Sequence, residues 1–124
     1  MRILWLLTPI MLFNAAPAFS ATSYLQCPVK DEKGKSAVNV ALTLNEDAGT
    51  AAIYFQETGY SLEGLPATFT PEAVRWEKVD DLLHSRFTID RSTLGYVETL
   101  SVRTKTLMTR KGTCTLSQPR EPKF

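Results

Sequence analysis

Two cysteines, Cys27 and Cys114, stand near the two ends of the chain that remains once an N-terminal export signal is set aside. They are 87 positions apart, so a bond between them ties the start of the fold to its end. Closing a loop of that size stabilises a chain by about 4.6 kcal/mol in the chain-entropy model. That is a large share of the stability of a small domain. The alternative use of the pair, metal binding, is disfavoured. Two thiols and the single His84 do not complete a tetrahedral zinc site without a carboxylate, and no Cys-x-x-Cys spacing is present. An even cysteine count behind an export signal reads as one disulfide, Cys27–Cys114, with no metal and no cofactor.

The signal is residues 1–20. Arg2 gives a short positive start, Ile3 to Phe13 are apolar, and the small residues Ala15, Ala16, Ala18, Ser20 and Ala21 follow. The apolar run is shorter than the roughly 20 residues that a spanning helix needs. Cleavage is expected after Ala18, Ser20 or Ala21. The expected location is the periplasm or the cell exterior. Removing 1–20 leaves 104 residues, enough for one domain with a modest core. It also removes Arg2, which leaves 13 basic and 13 acidic residues. A neutral chain lacks the field that gathers polyanions, so nucleic acid and anionic membranes are poor partners. A monomer is expected.

The mature region, 21–117, reads as short strands, with 118–124 as a C-terminal tail. Val38, Val40, Leu42 and Leu44 alternate with Asn39, Ala41 and Thr43, the pattern of a half-buried antiparallel strand. A turn at Asn45 to Gly49 leads into Thr50 to Phe55. Breaks are expected at Thr58-Gly59-Tyr60 and Glu63-Gly64, then a short edge strand from Pro66 to Thr70, because proline cannot donate to a ladder. Residues 71–83 admit two readings, a helix opened by Thr70-Pro71-Glu72 or a hairpin turning at Asp80-Asp81. The alternation of Leu83, Ser85, Phe87 and Ile89 favours the hairpin. Tyr96, Leu100 and Val102 are expected to face inward on the next strand, and the stretch from Lys105 to Leu116 holds a last strand ending at Cys114. The fold class is all-β, a small antiparallel meander barrel or sandwich of about seven or eight strands. A disulfide from first strand to last suits a barrel, where those strands meet.

Chemistry is sparse. No Gly-x-Ser-x-Gly, phosphate-binding loop, dinucleotide fingerprint or His-Glu-x-x-His is present. His84, beside Asp80 and Asp81, lacks the dispersed arrangement of a catalytic triad and reads as a surface histidine near a turn. No catalytic residue is assigned and no enzyme is expected. The candidate binding residues are Asp90, Arg91, Trp76 and Tyr60. Asp90-Arg91-Ser92-Thr93 is the most specific polar cluster. It either recognises a partner or, as turn chemistry favours, fixes a turn with Asp90 accepting backbone N–H groups. Trp76 and Tyr60 are the aromatics expected to reach an edge, one end dry and one wet.

Tyr24-x-x-Cys27, Ile89-Asp90-Arg91-Ser92-Thr93, Gly112-Thr113-Cys114 and a terminal Lys123-Phe124 occur together behind the signal. In this the chain resembles a loose group of small exported bacterial β-proteins with an I-D-R-x-T motif and a late G-x-C. The resemblance implies a fold style and a compartment, and no activity. The chain is also similar, more distantly, to periplasmic inhibitors of c-type lysozyme, in size, in eight-stranded barrel architecture and in the Tyr-x-x-Cys opening. It lacks their Ser-x-Ser-Gly-x-x-Tyr loop, and Leu65-Pro66-Ala67-Thr68-Phe69 stands about where that loop is expected. The functional expectation is a protein-binding or inhibitor-type module, with an envelope protein as partner. The alternative is a carrier of a small apolar ligand.

Overall fold

A computed structural model describes residues 22–34 and 37–118. The expected signal peptide, its cleavage sites and all of the tail beyond Gln118 lie outside the described residues. The described residues make nine strands: β1 (Thr22–Asp31), β2 (Ala37–Asn45), β3 (Thr50–Phe55), β4 (Tyr60–Phe69), β5 (Ala73–Val79), β6 (Leu83–Asp90), β7 (Gly95–Val102), β8 (Lys105–Thr113) and the two-residue β9 (Thr115–Leu116). Each of β1 to β7 pairs antiparallel with the next, and β8 pairs back onto β1, Val29 opposite Gly112. The result is a closed eight-stranded meander barrel, with β9 added along β1.

Closure follows from alternation. Leu25, Cys27 and Val29 on β1, Val40, Leu42 and Leu44 on β2, and Phe87 and Ile89 on β6 all point inward and are buried. A period of two places one apolar face inside on every strand, and closing the sheet removes its edges. The expected disulfide joins Cys27 to Cys114 across the closure, with Cα atoms 4.1 Å apart. Proline and glycine mark the same seam. Pro28 sits in the gap on β1 between its pairing with β9 and its pairing with β8, where no ladder bond is missed. Gly112 packs directly under the Pro28 carbonyl, and a Cβ there would collide with it.

Three expectations need correction. Glu63-Gly64 does not break a strand: β4 runs unbroken from Tyr60 to Phe69. The register slips by one residue opposite Ala51–Ile53, and Gly64 takes up the slip in the left-handed region at φ 66°. A glycine bulge bends a strand without ending it. Pro66 is also not on an edge, since β4 lies between β3 and β5. It is tolerated because Thr50–Pro66 ends the described β3–β4 ladder, and the β4–β5 ladder begins at Ala67. The last strand does not end at Cys114 but stops one residue before it, at Thr113, and β9 resumes the pairing one residue after it. At residues 71–83 the hairpin forms, β5 to β6, turning through Asp80 to Leu82.

Candidate functional site

The barrel has two ends of different character. At one, the disulfide end, lie the turns 46–49, 70–72 and 91–94 and the Cys27–Cys114 bond. Here the Ile89-Asp90-Arg91-Ser92-Thr93 motif does structural work. Asp90 Oδ1 accepts the Ser92 N–H at 2.8 Å, the Ser92 hydroxyl at 2.7 Å and the Thr93 N–H at 3.0 Å. The Ser92 hydroxyl first, then the Thr93 and Ser92 N–H groups, hold the Asp90 carboxyl down from 3.8 to about 2. Arg91 donates to the Thr70 carbonyl at 2.8 Å and to Glu46 at 2.9 Å, so it links three turns. Its own N–H bonds the Glu72 carbonyl. Leu94, with φ 63°, receives the Cys114 N–H on its carbonyl, which anchors the disulfide to this turn.

The four sequence-level candidates are not brought together. Asp90 and Arg91 serve the turns of the disulfide end. Trp76 does not reach an edge: it is 4% exposed, stacked on Phe87 with ring centroids 5.3 Å apart, and its Nε1 finds no partner among the described residues. Its place follows from register, since Trp76 pairs with Phe87 on the inward face. Tyr60 is exposed at the opposite end of the barrel.

Around the expected Tyr60, that far end holds apolar residues that sequence reasoning missed. Among the described residues, Tyr60, Val79, Leu82, Leu83 and Leu107 are large apolar side chains left exposed there. Leu82 and Leu83 follow the Asp80-Asp81 turn, so an apolar pair at a hairpin tip was the available signal. Leu107 gives no such signal. It is the extra residue where the β7–β8 register slips, which turns it outward. Around this rim, Lys78 bonds Asp80 at 2.6 Å, and Tyr60 stacks on Phe55 at 6.0 Å. The Lys78 ammonium is held above its ordinary value by the Asp80 hydrogen bond.

Below the rim a charged pair faces inward. Glu98, 5% exposed, accepts from Arg110 at 2.7 Å and from the Tyr96 hydroxyl at 2.7 Å. Arg110 lies over the Phe55 ring, 5.6 Å from its centroid, in cation–π range. Burial first, then the Glu98 carboxylate, pushes the Tyr96 phenol up. The pair is one cross-strand step from Phe87 and two from Trp76. Sequence alternation gave Tyr96, Leu100 and Val102 as inward residues; Glu98 shares that face, and a charge there carries no apolar signal.

Among the described residues, the outer wall carries two sizeable grooves. One, of about 460 Å³, is floored by outward residues of β1 to β4, including Tyr24, Thr43, Tyr54 and Glu63. The other, of about 370 Å³, crosses β4, β5 and β6 between Thr68 and Thr88. No group of three or more metal-ligating side chains occurs among the described residues. No family model, curated protein or solved structure matches the chain.

Proposed function

We propose that the protein is an exported binding domain of the periplasm or cell exterior, of the inhibitor or adaptor kind. On this reading it grips an envelope protein with the apolar rim at the far end of its barrel. The observation that carries the reading is the gathering of Tyr60, Val79, Leu82, Leu83 and Leu107 at that end. Isolated exposed leucines need no explanation, but a cluster of them rimmed by polar groups marks an interaction surface. The arrangement at the other end supports the same assignment, because Asp90 and Arg91 are engaged by turns of their own chain. A disulfide fits an oxidising compartment. The inward bulk of Trp76, Phe87 and Tyr96 weighs against the second reading, a carrier of a small apolar ligand.

The test is retention of a partner from an envelope extract by the immobilised protein and by Leu82→Asp/Leu107→Asp. Both sites are exposed, so the variant keeps its melting temperature. A saturable partner held by the wild type, and at least tenfold less by the variant, supports the reading. Equal retention by both proteins overturns it.

A further inference from the structure

The outward faces of β5, β6, β7, β8 and β1 form one continuous wall. Register places Arg75, Thr88, Val97, Lys111 and Lys30 in a single row across these five strands. Arg86 stands in the adjacent row, between Glu77 and Thr99. Arg75, Arg86, Lys111 and Lys30 are all exposed. None of them makes an ion pair with a described residue. Two acids stand nearest by register, Glu77 opposite Arg86 and Asp90 two residues beyond Thr88. Glu77 lies 3.2 Å from His84 Nε2, and Asp90 holds Ser92 and Thr93. Lys30 and Lys111 face each other directly, an arrangement of like charges that costs a sheet stability. Among the described residues of these rows, Glu77 is the one acid against four cations, so the wall keeps a net positive charge.

We propose, resting on the protein-binding reading above, that this wall seats an extended acidic segment of the partner polypeptide, laid across the strands. Arg75 and Lys111 are three strand spacings apart, about 14 Å. Four residues of extended chain advance about 14 Å and return the side chain to the same face. Carboxylates at positions i and i+4 of such a segment therefore meet both cations. The guanidinium forks of Arg75 and Arg86 can each donate two hydrogen bonds to a carboxylate. Beside them, the hydroxyls of Thr88 and Thr99 are available to a partner's backbone. Val97, 37% exposed, offers an apolar seat in the middle of the row. The groove of about 370 Å³ lies at the Arg75 and Arg86 end of this path. The wall is continuous with the rim, because Val79 and His84 stand in the row next to Glu77 and Arg86. A flat lipid surface suits a convex barrel wall less well, and one valine gives it little to insert.

The test is a titration of the isotope-labelled protein, followed by amide chemical shifts. The probe is an acetylated eight-residue peptide of alternating glutamate and threonine. A lysine-for-glutamate peptide and phosphatidylglycerol vesicles are the comparisons. The expected result is shifts confined to residues around 75, 86–88, 97–99, 109–111 and 30. Affinity falls at least tenfold between about 20 and about 150 mM salt, as screened charges require. Arg75→Glu/Arg86→Glu weakens binding at least tenfold, while Leu82→Asp leaves it unchanged. Absence of binding overturns the proposal. So do shifts spread over Lys33, Arg103 and Lys105 alike, a charge-reversed variant that binds as the wild type, or tighter binding of vesicles than of peptide at this wall. Peptide binding with a rim variant that still retains the partner would defeat only the rim assignment. A rim variant that loses the partner while the peptide fails to bind would defeat only the wall.

Discussion

At the scale of single residues, Asp90 shows how a polar cluster serves a fold. Its carboxylate takes three donors that the 91–94 turn presents, and this holds its titration at about 2 against an ordinary 3.8. A carboxyl depressed on folding adds stability that is fully present above the unfolded value and is lost as pH falls through the folded one. Asp90→Asn should therefore lower the melting temperature at neutral pH. The gap to wild type should close as pH drops from about 4 towards about 2, which melting curves across that range will show. Arg110 makes the converse case. With Glu98 buried beneath it, Arg110→Met leaves a carboxylate without its counter-charge. The expected cost in urea denaturation is about 3–5 kcal/mol, and Glu98→Leu added to it should recover part of the loss.

Among the elements, β8 carries the closure. Gly112 allows the β1 backbone at Pro28 to come close enough for pairing, so Gly112→Ala should force the seam apart. A destabilisation of about 1–3 kcal/mol is expected, with faster amide exchange on β1 and β8 than on β4 and β5. Strand by strand, much of this was legible beforehand. The alternation from Val38 to Leu44 and from Phe87 to Ile89 is a simple burial signal, and both stretches form strands as read. The helix alternative at 71–83 lost to the hairpin because Val74 and Trp76 pair with Ile89 and Phe87, partners that only the sheet supplies. What was illegible depends on register. Gly64 looks like a stop and acts as a bulge, Leu107 is turned out by a slip of one residue, and Glu98 is drawn inside by Arg110 on the next strand. None of these is a property of a local stretch. Of the candidate site residues, Tyr60 stands on the proposed rim. Trp76 fell in the core because a large apolar ring reads alike at an edge and in an interior.

As a whole molecule, the protein is a closed barrel with one end fastened by a disulfide and a turn network and the other left apolar. The Cys27–Cys114 bond joins first and last parts of the barrel wall, so alkylation without reduction should modify neither thiol. Cys114→Ser should cost about 2–5 kcal/mol. The central claim is that binding occurs at the far end and on the wall beside it, away from the Asp90 turn. The most direct measurement is photo-crosslinking in the native host, with the reactive group placed at Leu82 or Leu107 and, separately, at Ser92 or Asp47. The account predicts a discrete protein adduct from Leu82 and Leu107 and none from Ser92 and Asp47. An adduct formed from Ser92 or Asp47 with none from Leu82 and Leu107 would contradict it and make the disulfide end the recognition surface.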